Sequence, residues 1–269
     1  MISALESEAL ATLRREPSKA AIMLDIDGTL APIVEHAADA HVPESTRQLL
    51  IAVARRYGLV ACVSGRRASE ARAMVSIGSI SYVGSHGVEL LRSGWTEAVL
   101  DPEVADWVRR IHEFGRENDT AQLRRHRVRL EDKGPIVAFH WRGAPDEEAA
   151  RVVVDEIAQR AQAAGLRTHW GRKVLEVRPP VRIDKGAGVA RLLDEVGQGI
   201  DAALYVGDDT TDLDAFRTLA RMAQEGRLAR VVRVGVRSEE GPSEIAQEAD
   251  IVLDGPDGVR ELLALLGGE

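Results

Sequence analysis

The chain has 269 residues, 45% of them hydrophobic, a net charge of −8 and only 4% aromatics. That is apolar material for one large domain or two modest ones. The acidic balance and the scarcity of stacking rings argue against a nucleic-acid or membrane-surface protein. The N-terminal stretch MISALESEALATLRREP has no basic start followed by an apolar run, so it reads as a short amphipathic helix and not a signal peptide. No stretch reaches the roughly 18 apolar residues of a membrane span, and a cytoplasmic, monomeric protein is expected. Next comes the run AIMLDI, a buried strand that delivers two acids, Asp25 and Asp27, followed by Gly28 and Thr29. A helix is predicted over 44–57, with Ser45 as its cap. The strand LVACVS follows; its Cys62 is the only cysteine and reads as core packing. Then come a helix near 67–76 and the strand ISYVGS.

The rhythm changes after residue 100. A helix over 101–117 precedes RVRLEDKGPIVAFHWR, two strands joined through Lys133-Gly134-Pro135. A helix over 145–164 precedes LRTHWGRKVLEVRP, two strands about a turn at Gly171. Beyond 180 the alternation returns: Lys185 starts a helix, DAALYVGD is a strand, a helix begins near 211, and LARVVRVGV and ADIVLD are strands. Continuous apolar strands alternating with helices imply a parallel sheet covered on both faces. The expectation is an α/β, doubly wound, mostly parallel core built from 1–100 and 181–269, interrupted by a smaller α+β cap over 101–180. Short hinges are expected near 95–101 and 178–184.

In such sheets ligands bind at the carboxyl edge. There the strands deliver Asp25 and Asp27; Ser64, Gly65 and Arg66; Ser85 and His86; and Asp208 and Asp209, with Asp212 one turn on. Five carboxylates cannot all ionise side by side without compensation. Oxygen-only ligation suits Mg2+, and a serine hydroxyl, backbone amides and Lys185 beside it describe a phosphate pocket. An aspartate can attack phosphorus itself. The second acid, two residues on, points away in strict strand geometry, so the chain must turn after the strand, which Gly28 permits. Each element also has a plain reading. GDDTTD fits helix capping by Asp209 or Thr210 with Asp212 in the first turn. Arg66 can pair with a core acid and do no chemistry, and Glu176 fits an exposed strand position.

The ordered set DIDGT, SGR, a lysine and GDDTTD resembles the haloacid dehalogenase-like phosphatases. GSHGVEL (84–90), EDKGPIVAFHWR (131–142), KVLEVRPPVRIDKGAGVARLL (173–193) and YVGDDTTDLDAF (205–216) further resemble the trehalose-6-phosphate phosphatases. The family often has an acid where this chain has Leu213, and a tyrosine-like ring where it has Trp141. The resemblance implies a Rossmann-like core and an Mg2+-dependent phosphatase acting on a sugar phosphate. It implies Asp25 as nucleophile and Asp27 as acid and base. Asp25, the carbonyl of Asp27 and Asp208 would be metal ligands, supported by Asp209 and Asp212; which of Asp208 and Asp209 binds directly stays open. Ser64 and Lys185 would bind the phosphoryl group, with Gly28, Thr29, Gly65 and Arg66 around it. Glu131, Lys133, Arg142, Lys173 and Glu176 of the cap would meet the sugar, helped by His86 and Glu89. The core motifs fit equally a phosphatase for sucrose phosphate or mannosyl-3-phosphoglycerate; only the cap strings argue against it. A phospho-accepting regulatory module shares the strand-end aspartate and lysine but lacks the second acid and the cap.

Overall fold

A computed structural model describes residues 4–33, 40–237 and 241–268; the first three residues of the expected N-terminal helix lie outside them. Helix α1 (Ala4–Arg15) leads through a single 3-10 turn into β1 (Ala20–Leu24). Then follow α2 (Glu44–Arg56), β2 (Leu59–Val63), α3 (Ala68–Val75), β3 (Ser81–Gly84), β4 (Glu89–Leu91) and β5 (Val99–Leu100). The next stretch holds α4 (Pro102–Asn118), α5 (Ala121–Arg125), β6 (Arg129–Asp132), β7 (Val137–His140), α6 (Glu147–Ala163), β8 (Arg167–Gly171) and β9 (Val174–Arg178). The alternation resumes with α7 (Lys185–Glu195), β10 (Ala202–Gly207), α8 (Thr210–Gln224), β11 (Arg230–Arg237), α9 (Ser243–Glu248), β12 (Ile251–Asp254) and α10 (Gly255–Gly267).

Two compact units emerge, one from residues 1–99 and 183–269, the other from 100–182. The larger sheet has the order β12-β11-β10-β1-β2-β3-β4-β5. It is parallel from β12 to β3, and β4 turns back antiparallel to β3. Every residue of β1, β2 and β10 is buried, because apolar clusters cover both faces of the sheet. That is why these runs read as continuously apolar and not as alternating. β1 and β10 are neighbours, with Leu24 opposite Val206. The segments just after them, from Asp25 and from Asp208, therefore leave the sheet side by side.

The second unit has a four-stranded antiparallel sheet, β6-β7-β9-β8. Val137, Phe139, Leu175 and Val177 pack with Ile111 and Phe114 of α4 and with Val154 and Ile157 of α6. The alternate positions, among them Glu131, His140, Glu176 and Arg178, fall on the opposite face and keep partial exposure.

Three local expectations change. Helix α2 begins at Glu44 with Pro43 before it and no side-chain cap, so Ser45 lies inside the helix. The short α5 was not anticipated; it is capped by Thr120 Oγ1, which accepts from Leu123 N. Lys173 stands in the β8–β9 turn itself, with φ of +62°, so the reversal falls just after Gly171. No described helix is long and apolar enough to cross a membrane.

Candidate active site

Strand β1 ends at Leu24, before either acid. The chain then folds back: the amides of Thr29, Leu30 and Ala31 all donate to Ile26 O, at 3.3, 2.9 and 2.8 Å. Gly28 makes this possible, with φ of +84°. A Cβ at Gly28 would lie 2.1 Å from Asp208 Oδ2, so the loop from β1 sits directly against the acid that follows β10. Thr29 Oγ1 donates to Asp208 Oδ1 at 3.1 Å.

The charged centre is buried. Asp25, Asp208 and Asp212 are 4%, 5% and 0% exposed, and each offers an oxygen within 4.8 Å of the others. Lys185, the first residue of α7, is buried among them, its Nζ donating to Asp25 Oδ1 at 2.6 Å and to Asp212 Oδ1 at 2.7 Å. Asp212 is saturated. It accepts also from Tyr205 Oη at 2.7 Å and from the amides of Asp208 and Asp209 at 3.0 and 2.9 Å. Asp209 caps α8, and its side chain forms a capping box with Asp212. The capping reading of GDDTTD is therefore correct for Asp209. For Asp212 it is incomplete, because the same carboxylate also anchors Lys185.

The electrostatics follow from burial. Burial pushes the Asp25 carboxyl well above the usual range; Lys185 opposes this, while Asp212 and Asp208 add to it. Asp208 is pushed up to about 6, by burial first and then by Asp212. Burial works against the Lys185 ammonium, but Asp212 and Asp25 outweigh it and hold the group above its ordinary value. Burial beside Asp212 also raises the Tyr205 phenol, which keeps its proton and donates it. Three carboxylates against one ammonium carry two excess negative charges when all are ionised. Among the described residues no donor reaches Oδ2 of Asp25 or of Asp208. A hard oxygen donor set with that charge deficit fits a divalent cation such as Mg2+.

Asp27 is held apart from this centre. Arg66 grips it as a fork, Nε to Oδ2 at 2.8 Å and Nη2 to Oδ1 at 2.7 Å. The Arg66 amide also donates to the buried Ser64 Oγ at 3.1 Å. Gly65, between them, is packed so closely that a Cβ would lie 2.7 Å from the His86 ring. Ser85 and His86 both adopt left-handed φ, +51° and +55°. Glu89 is drawn away to the start of α3, where its Oε2 accepts from Ala68 N at 2.7 Å.

In the second unit the expected sugar-facing residues divide. Lys133 Nζ lies 3.2 Å from Glu176 Oε1 and 3.8 Å from Glu131 Oε2, so these three stand together. Lys173 is instead paired with Glu147 at 2.7 Å, and Arg142 Nη2 reaches the carbonyl of Arg172 at 3.4 Å.

A family model described as trehalose-phosphatase matches residues 23–251. The chain belongs to the trehalose-phosphatase family. Trehalose 6-phosphate phosphatase RA3 of Zea mays is 29% identical over 262 residues, 92% of this chain and 70% of its own length. The uncharacterized glycosyl hydrolase Rv2006 of Mycobacterium tuberculosis is 32% identical over 208 residues, 73% of this chain. The chain spans only 15% of that relative. A solved trehalose-6-phosphate phosphatase from Aspergillus fumigatus superposes with a TM-score of 0.69 at 25% identity, covering 97% of this chain and 96% of its own. The C-terminal domain of the Candida albicans enzyme shares the fold, with a TM-score of 0.68 at 22% identity over 100% of this chain and 99% of its own.

In this trehalose-phosphatase chain, two structural residues, Tyr205 and Arg178, were not singled out from the sequence. Tyr205 was read only as part of an apolar strand, although a lone hydroxyl there needs a buried acceptor. Its partner is Asp212. Arg178 and His140 lie on the open face of the smaller sheet. The signal for Arg178 was positional: it is two residues after Glu176, and two residues along a strand share a face.

Proposed function

We propose that this protein is an Mg2+-dependent phosphatase that hydrolyses trehalose 6-phosphate to trehalose and phosphate. The observation that supports this best is the buried ammonium of Lys185 among three buried carboxylates, in a chain of the trehalose-phosphatase family. Asp25, the backbone carbonyl of Asp27 and Asp208 hold the metal, with Asp209 and Asp212 supporting them. The bound ion supplies charge compensation for a dianionic phosphoryl group.

The remaining chemistry belongs to the chain. Asp25 attacks phosphorus, the bond from phosphorus to the sugar oxygen breaks, and an aspartyl phosphate forms. Asp27 gives a proton to the departing sugar oxygen, then takes one from the water that attacks the aspartyl phosphate and frees Asp25. Arg66 now occupies both oxygens of Asp27, so Asp27 must leave that fork before it can act as an acid. Ser64 and Lys185 bind phosphoryl oxygens, with backbone groups near Gly28 and Gly65. The segment 101–180 acts as a cap that selects the sugar, through Glu131, Lys133 and Glu176.

The test is phosphate release across a panel of sugar phosphates, on metal-stripped protein with and without added Mg2+. Trehalose 6-phosphate should be preferred, and excess chelator should abolish turnover until Mg2+ is restored. Full turnover in chelator refutes the metal assignment. Rapid quench with labelled substrate should place label on Asp25 alone, and Asp25→Asn should eliminate both label and turnover.

A further inference from the structure

On the open face of the smaller sheet the register sets Glu131, Ala138, Glu176 and His169 in one cross-strand row. Arg129, His140 and Val174 form the adjacent row. The side chains of these rows join into a chain of charge-assisted contacts. His140 Nε2 lies 2.7 Å from Glu131 Oε2. Lys133 Nζ lies between Glu131 and Glu176. Arg178 closes the chain, its Nε donating to Glu176 Oε2 at 3.1 Å and its Nη2 to the same oxygen. Both oxygens of Glu176 are thus fixed, one by Lys133 and one by Arg178. Burial alone would raise the Glu176 carboxyl, but these two cations hold it below its ordinary value. Ala138 is the small residue of the row, and its lack of bulk lets Lys133 bridge the two acids.

We infer that Arg178 and His140 are positioning residues, which aim the Glu176 and Glu131 carboxylates as acceptors for sugar hydroxyls. This rests on the functional reading above and extends it to two residues that touch no phosphate. The physical reason is entropy. Glu131 is exposed, and a free glutamate must lose its rotamer freedom on binding. One already oriented by a neighbour loses little. The strands that carry the two acids are two spacings apart, but Lys133 Nζ, 3.2 Å from Glu176 and 3.8 Å from Glu131, draws their carboxylates together, so they address neighbouring hydroxyls of one ligand. A neutral ligand with paired hydroxyls suits such a face, because Lys133 and Arg178 already balance the two acids.

The experiment is a pair of double-mutant cycles read by kcat and KM for trehalose 6-phosphate. Arg178→Met keeps the apolar stem and removes the donors. It should lower kcat/KM at least tenfold, mainly through KM, and Arg178→Lys should restore part of the loss. In a Glu176→Gln background the same Arg178→Met change should cost less than twofold, because its partner is no longer an anion. The second cycle uses His140→Ala with Glu131→Gln, with His140→Gln as the donor-keeping control; where Arg178→Met fails to fold, this cycle decides. Additive losses, or no loss in the single variants, overturn the inference while leaving the functional reading intact. A wild-type protein with no preference for trehalose 6-phosphate over glucose 6-phosphate overturns both.

Discussion

Replacing Lys185 with methionine tests the charge balance at the centre of the molecule. The ammonium is 3% exposed and lies 2.6 Å from Asp25 Oδ1 and 2.7 Å from Asp212 Oδ1. Methionine fills much of the same volume but leaves two buried carboxylates facing each other, with Asp208 close by. Removing one partner of a buried ion pair costs about 3–5 kcal/mol. For a chain of this size each kcal/mol moves the melting midpoint by about 2–4 °C, so Lys185→Met should melt about 6–20 °C lower. The assay is calorimetry near neutral pH in the presence of chelator. The pH dependence has a definite sign. Asp25 and Asp208 have folded-state values above their ordinary ones, Asp208 at about 6. Such acids bind protons more tightly when folded. Stability therefore falls as pH rises from the ordinary carboxylate range towards the folded value, and levels off above it. Without the lysine both groups should rise further, so the gap between variant and wild type should narrow as pH falls towards about 6, the wild-type value of Asp208, and change little below it. A loss below about 1 kcal/mol, or a gap that widens on acidification, refutes the reasoning.

Three further outcomes are expected. Gly28→Ala places a Cβ 2.1 Å from Asp208 Oδ2 in a left-handed backbone, so it should weaken Mg2+ binding at least tenfold, measured by calorimetric titration; unchanged affinity would mean that Asp208 is not a ligand. Glu176→Ala should lower kcat/KM for trehalose 6-phosphate by on the order of 2 kcal/mol more than for a small aryl phosphate, the scale of an unpaired buried polar group; equal losses would place its effect in folding. Tyr205→Phe removes the 2.7 Å hydrogen bond to Asp212 and should cost about 1–2 kcal/mol of stability in denaturant unfolding; a neutral result would show that the other three donors suffice.

What the sequence made legible was the part governed by short-range pattern. The apolar runs of β1, β2 and β10 read as doubly covered parallel strands, and the acids after β1 and β10 had to meet at one edge. The hairpins of the smaller sheet were visible from alternation and from Gly134 and Gly171. What stayed hidden were contacts between residues far apart in the chain. The sequence allowed Arg66 a core acid as partner, but nothing local says that the acid is Asp27, 39 residues away, or that Glu89 reaches back 21 residues to the start of α3. Lys173 illustrates the same limit: its sequence neighbours suggested a strand, but its ammonium follows Glu147, 26 residues earlier, and its backbone takes the turn.

The pairing of β1 with β10 has a consequence for biogenesis. The two strands are adjacent in space, yet Ala20 and Ala202 are separated by just over two-thirds of the chain. A ribosome delivers β1 long before its partner, so one edge of an entirely apolar strand stays unpaired while the whole 100–182 unit is made. Such an edge is a template for mispairing with other nascent chains. The second unit, continuous in sequence and rich in local hairpins, can condense first. Strand β1 is then sealed late, when residue 207 has left the exit tunnel. Yield in cells should therefore depend more on translation speed and on holding chaperones than the final packing suggests.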